Sequence, residues 1–322
     1  MTKAIRIEQT GGPEVMKLVD VDLPAPGPQE VQVRHHAIGL NYIDVYFRTG
    51  LYPMPLPAGI GLEGAGVISA VGSEINHLRP GDRVAYAGRP PGSYSQARNM
   101  PTNALVKLPN TIDFDTGAAM MLKGLTAEYL LHRSYPVREG QTILMHAAAG
   151  GVGLILSQWA KALGVTVIGT VGSEEKAKLA RAHGCDHVIL YRKENVVERV
   201  REITGGEMLP VVYDSVGKDT FQTSLDCLQP FGTMVSFGNA SGAVPPVPLT
   251  ALRGSLFLTR PSLMSHTEKR ATLEEMAARL FKIIGSGKVK IRIDQRYPLS
   301  EAVQAHIDLE SRKTTGSTLL IP

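Results

Sequence analysis

Three small residues, Ala148, Gly150 and Gly153, stand at the spacing of a turn that must do three things. It bends sharply, lets backbone approach a pyrophosphate, and brings a helix close onto its strand. They lie within Gly140 to Lys161, GQTILMHAAAGGVGLILSQWAK, where an apolar strand (Thr142 to His146) runs through an Ala/Gly turn into a helix. The amides of Gly150, Gly151 and Val152 at the start of that helix, with the helix macrodipole, suit phosphate charge. A glycine-rich turn alone is a weak signal, but here the strand before it and the helix after it are both readable. The stretch therefore predicts a dinucleotide site.

The end of the next strand bears on which dinucleotide. An NAD site places a carboxylate there to accept from both ribose hydroxyls. In VTVIGTV the strand ends on Val171, and Gly172, Ser173, Glu174, Glu175 and Lys176 follow. Ser173 offers a hydroxyl to a 2′-phosphate and Lys176 a point charge. Tyr191, ending the third strand, adds a phenolic donor. The pattern predicts NADPH, with Glu174 and Glu175 dissenting, since either carboxylate turned inward would repel a phosphate. Ligands of such sheets sit beyond the carboxyl ends of the strands. That puts Ser215, and Phe237, Gly238 and Asn239, on the rim of the cofactor crevice.

The elements that must position these residues divide the chain. Residues 1 to about 123 carry short strands (Lys3 to Ile7, Glu30 to Ala37, Gly66 to Val71, Arg83 to Ala87) between Gly/Pro turns, which suggests a small barrel or sandwich. NYIDVYFRTG, Asn41 to Gly50, interrupts them as a short helix. After a long helix over Thr116 to His132, strands at 166–171, 187–190, 211–214, 232–237 and 255–259 alternate with helices, the signature of a parallel doubly wound α/β sheet. A helix near 273–284, a strand at 290–294, a helix near 300–310 and a strand at 317–321 close the chain.

Composition excludes several classes. With 322 residues, 43% hydrophobic and 20% charged, the chain is ordinary for a globular protein of two domains. Its net charge of +4 comes without a Lys/Arg run interleaved with aromatics, so no nucleic-acid surface is marked. Two cysteines, Cys185 and Cys227, support neither a disulfide framework nor a cysteine zinc site. MTKAIRIEQTGG reads as a strand rather than a signal peptide, and no apolar run approaches a membrane span. A cytoplasmic setting is the expectation.

Gly140, Gln141, Leu144, Ala148 to Gly151, Gly153, Gln158 and Lys161 resemble the signature of the quinone oxidoreductase and zeta-crystallin branch of the medium-chain dehydrogenase/reductases. The likeness extends through GGPEV (Gly11 to Val15), GLNYIDVYFRTGLYP (Gly39 to Pro53), LKGLTAEYLL (Leu122 to Leu131), YDSVG (Tyr213 to Gly217), SFGNASG (Ser236 to Gly242) and AHIDLESRKTTGS (Ala305 to Ser317). The resemblance implies a GroES-like β-barrel domain built from residues 1–123 and 264–322, beside a Rossmann domain of 124–263. It implies a homodimer joined through the last strands of the cofactor sheet. It further implies nicotinamide-side contacts from Asn41, Thr126, Tyr129 and Leu263, with Arg312 reaching the cofactor.

Alcohol-oxidising relatives hold a catalytic zinc. Here the corresponding positions resemble Asn41 and Leu62-Glu63, with no cysteine near Lys123. Leu62 cannot coordinate, and the nine histidines fall in no metal spacing; no metal is expected. A quinone is already electron-poor, so hydride transfer to it requires proximity and orientation more than acid catalysis. Tyr46 and Tyr52 are the candidate walls and donors, with Asn41 beside the nicotinamide. Arg48 and Asp44 read as a helix-surface pair, and Glu63 as strand-end and half-buried. Two other readings compete: reduction of an activated C=C bond in an unsaturated aldehyde or ketone, and a binding role, structural or towards RNA.

Overall fold

The computed structural model describes residues 1–322 and divides into two compact units, residues 1–125, 266–285 and 291–322 in the first, 126–265 and 286–290 in the second. The chain forms β1 (Thr2–Ile7), β2 (Lys17–Val21), β3 (Glu30–Leu40), α1 (Tyr42–Thr49), β4 (Ala58–Gly59), β5 (Glu63–Val71), β6 (Arg83–Ala87), β7 (Ala97–Pro101), β8 (Leu105–Lys107) and α2 (Phe114–Tyr129). Then come β9 (Thr142–Met145), α3 (Gly151–Ala162), β10 (Thr166–Val171), α4 (Glu174–Ala182), β11 (His187–Leu190), α5 (Val196–Ile203), β12 (Leu209–Asp214), α6 (Phe221–Asp226), β13 (Leu228–Ser236), β14 (Phe257–Thr259) and α7 (Leu263–His266). Finally α8 (Arg270–Gly285), β15 (Ile293–Pro298), α9 (Ala302–Glu310) and β16 (Ser317–Ile321) complete it.

In the first unit a seven-stranded sheet runs β15-β16-β3-β5-β6-β8, with β7 also pairing with β3, beside a three-stranded sheet β2-β1-β4. β3 shows why the alternating pattern becomes a strand. Val31, Val33 and His35 point into the core while Arg34 and His36 point to solvent. Val31 and Val33 pack with Ile68, Val84, Tyr86 and Met100. The last strand, β16, lies antiparallel to the end of β3, with Leu319 opposite Gly39, so the C-terminus supports the strand that delivers Asn41.

The second unit is a six-stranded parallel sheet in the order β11-β10-β9-β12-β13-β14. Counted within the sheet this is 3-2-1-4-5-6, the order of a dinucleotide-binding fold, whose switch point falls between β9 and β12. The strands are apolar because both faces are covered by helices, and Leu144, Ile168, Ile189, Val212 and Met234 form the core.

Among the expected boundaries that move, two have a visible physical cause. The strand expected at 290–294 begins at Ile293, because the backbone of Lys290 is taken up by the Gln158 side chain, which accepts from its amide at 3.0 Å and donates to its carbonyl at 3.1 Å. The helix expected to reach His132 widens into a π turn over Leu130–Ser134, whose Leu130 carbonyl accepts from the Tyr213 hydroxyl at 3.1 Å.

Candidate cofactor and hydride-transfer site

In the second unit the fingerprint turn is built by close contact. Gly150 caps α3 in extended conformation. A methyl on Gly153 would lie 2.6 Å from the carbonyl oxygens of both Ala147 and Ala148, so only hydrogen fits there. The Ala148 amide donates to Thr170 O at 3.1 Å, which seats the turn on β10. The amides of Gly151, Val152 and Gly153 open α3 and have no earlier turn of helix to bond. This cradle fits a pyrophosphate.

Beyond β10, the Ser173 oxygen caps α4 by accepting from the Lys176 amide at 3.3 Å. The Tyr191 hydroxyl lies 2.8 Å from where a Cβ on Gly172 would stand, so the glycine makes room for the phenol. The two dissenting carboxylates are engaged. Glu174 pairs with Lys193 at 3.2 Å, and the Glu175 carboxyl is held below its usual range by its own backbone amide and by Ser173.

Ser215 follows β12, where sequence reasoning passed over Asp214. This buried carboxylate accepts from the amides of Val216 (2.7 Å) and Gly217 (3.0 Å) and from the hydroxyls of Thr220 (2.8 Å) and Ser224 (2.7 Å). It fixes the loop on the rim. A carboxylate ending an otherwise apolar strand was the available signal. Opposite, the Phe237 amide bonds Asp214 O at 2.8 Å, and a methyl on Gly238 would lie 2.3 Å from Ser215 O. With its amide turned to satisfy both neighbours, Asn239 donates to Gly238 O (2.9 Å) and accepts from Arg260 (3.1 Å). The fingerprint turn, residues 172–176, Tyr191, Ser215 and residues 237–239 thus all follow the carboxyl ends of strands in one sheet. Thr126 and Tyr129 are buried on α2, and Leu263 opens α7, also buried.

In the first unit Asn41 precedes α1 and is buried. Its amide nitrogen donates to Glu63 Oε2 at 2.7 Å, and the same oxygen receives Lys123 Nζ at 3.3 Å. Glu63 Oε1 accepts from the Leu122 amide at 2.8 Å, and Lys123 also bonds Leu40 O at 3.3 Å. Glu63 is therefore completely buried rather than half-buried, its charge balanced by an equally hidden lysine. Sequence reasoning missed Lys123 as a partner because the two lie 60 residues apart.

Asp44 and Arg48 are likewise not a surface pair. Both are buried and they face different partners. Asp44 Oδ2 accepts from the Asn41 backbone N–H and the Tyr94 hydroxyl, each at 2.9 Å, and Tyr94 meets His306 Nε2 at 3.0 Å. Burial pushes the Asp44 carboxyl up to about 7 and His306 down to about 3. Arg48 reaches Glu310, the last residue of α9, with both carboxylate oxygens at 2.8 Å. Two residues later Arg312 adopts a left-handed φ of 61°. Tyr46 packs between Tyr42 and Tyr52, ring centroids 5.6 and 5.2 Å away, so Asn41, Tyr46 and Tyr52 are brought together around one short helix. No group of three or more His, Cys, Asp or Glu side chains could hold a metal ion, and Leu62 is a buried apolar side chain.

Residues 27–137 match the alcohol dehydrogenase GroES-like domain and residues 151–282 the zinc-binding dehydrogenase family. A quinone oxidoreductase of Pseudomonas aeruginosa is 56% identical over the full length of both chains. The chain belongs to the quinone oxidoreductase family. The crystal structure of the Escherichia coli quinone oxidoreductase complexed with NADPH superposes with a TM-score of 0.98 at 51% identity, covering 99% of this chain and 100% of that one. A 2-haloacrylate reductase of Burkholderia is 43% identical over 100% of this chain and 99% of its own. Although one matching family model is described as zinc-binding, the Asn41, Leu62 and Glu63 side chains of this quinone oxidoreductase relative do not make a zinc donor set. The GroES-like match falls mainly on its first unit and the zinc-binding dehydrogenase match mainly on its second, the one with the parallel sheet.

Proposed function

We propose that this protein is an NADPH-dependent quinone reductase. The observation that carries the reading is the end of β10. The strand stops at Val171, the turn after it and the first turn of α4 carry Ser173 and Lys176, and both adjacent carboxylates are already engaged. Bound NADPH supplies a hydride; with one proton this converts a quinone to a hydroquinone. The amides of Gly151 and Val152, with Gly150 capping α3 and lining the turn, receive the pyrophosphate. Gly172, Ser173, Lys176 and Tyr191 receive the 2′-phosphate ribose, and Ser215, Phe237, Gly238 and Asn239 border the cofactor. Thr126, Tyr129 and Leu263, buried in the same unit, add to its contacts. Tyr46 and Tyr52 wall the quinone, and a phenol donates to the oxyanion that develops on it. Asn41, locked by Glu63, orients without needing to reorganise.

The same reading makes the protein a homodimer joined at the edge of the cofactor sheet. β14 has a single strand neighbour, and Phe257, Leu258, Phe231 and Leu249 stand exposed there or nearby. Both cysteines are free and buried, which suits the reducing cytoplasm. No helix is long and apolar enough to cross a membrane.

A second reading, reduction of an electron-poor C=C bond, is favoured by the 43% identity to a 2-haloacrylate reductase, and uses the same hydride geometry. The deciding experiment follows NADPH consumption with a benzoquinone, a naphthoquinone, an alkenal and a haloacrylate. Fast turnover of the quinones is expected; activity confined to the alkenes would overturn the first reading.

A further inference from the structure

We infer that Lys193 is a specificity-determining residue for the cofactor, acting by neutralising Glu174 beside the 2′-phosphate rather than by binding the phosphate itself. The inference deepens the NADPH reading and rests on it. A carboxylate ending the second strand, absent here, selects a free ribose 2′-hydroxyl; one a few residues further on repels a phosphate by its charge. This chain keeps such a carboxylate, Glu174, as the first residue of α4, one residue beyond Ser173. Lys193 Nζ holds its Oε1 at 3.2 Å.

The lysine is delivered by a pinned turn. After β11 the amides of Lys193 and Glu194 both donate to Leu190 O, at 2.8 and 2.9 Å. The Glu194 carboxylate accepts from the Leu190 amide at 2.7 Å and pairs with Arg199 at 3.0 Å. Because β11 neighbours β10 in the sheet, this turn stands beside the loop that opens α4. The field of Lys193 also reaches Glu175 and favours its charged form. Both members of the pair are more than half exposed, so it contributes little to folding. Its consequence is the local charge that a doubly negative ligand meets: without the lysine, Glu174 faces the phosphate uncompensated.

The test measures dissociation constants of NADPH and NADH for the full chain by fluorescence titration, in Lys193→Ala, Glu174→Ala and the double variant. Lys193→Ala is expected to weaken NADPH binding about fivefold with NADH little changed, an effect of exposed-charge size that fades in high salt. In the Glu174→Ala background the same substitution should cost nothing. A loss of equal size in both backgrounds, an equal loss for NADH, or no loss at all would each overturn the inference. Lys176→Ala keeps the two levels apart. If it does not weaken NADPH more than NADH, the proposed phosphate site itself fails, whatever Lys193 does.

Discussion

The Asn41 amide donates to Glu63 at 2.7 Å, and the oxygen that accepts it is the one that meets Lys123. A side chain proposed to sit beside the nicotinamide is therefore oriented by a buried ion pair, not by its own rotamer preference. The pair is hidden from solvent on both sides. Breaking it costs more than its formation contributes, because the surviving charge stays buried.

Lys123→Met should accordingly destabilise the protein by about 3 kcal/mol, and adding Glu63→Gln should recover much of that loss. Urea denaturation of the two variants measures it. Equal stability of Lys123→Met and wild type would refute the buried-charge account.

Asp44 makes stability depend on pH with a definite sign. Burial raises its carboxyl from 3.8 to about 7, so between those values the folded state binds the proton and the unfolded state does not. The stabilisation is complete below about pH 4 and is lost as pH rises towards 7. His35 and His306, pushed down to about 4 and about 3, work oppositely, losing stability as pH falls below 6.5. The difference between wild type and Asp44→Asn isolates the carboxyl. The variant should gain on wild type by on the order of 2 kcal/mol between pH 5 and 8. Parallel Tm curves across that range would contradict it.

Tyr46→Phe and Tyr52→Phe remove one hydroxyl each while keeping rings packed 5.2 Å apart. The one that donates to the quinone should lose about tenfold in kcat, with the NADPH dissociation constant unchanged. Unaltered turnover in both variants removes these phenols from the mechanism and leaves them as walls.

Phe257, 60% exposed on the edge strand, should lie inside the dimer if the proposed association is right. Phe257→Glu would then shift the sedimentation profile from dimer towards monomer, because a charge buried without a partner opposes association. A monomeric wild type would end that proposal directly.

The fingerprint turn, the parallel sheet and the NADPH reading were legible because each rests on neighbours in sequence. Gly153 and Ala148 meet within one turn, and Val171, Ser173 and Lys176 span one strand end, its turn and the helix start that follows. Strand ends were less legible, because the Gln158 bonds that occupy Lys290 come from a distant helix. By itself the sequence determined the local chemistry: periodicity, small residues at a helix start, and a strand that ends without a carboxylate. Only the tertiary structure decided the state of the ionisable groups. Whether Glu63, Asp44 and Arg48 are exposed or buried, and whether Glu174 faces a phosphate or a lysine, depends on partners 19 to 262 residues away. The physical reason is that charge is governed by distance and solvent in space, neither of which a local pattern contains.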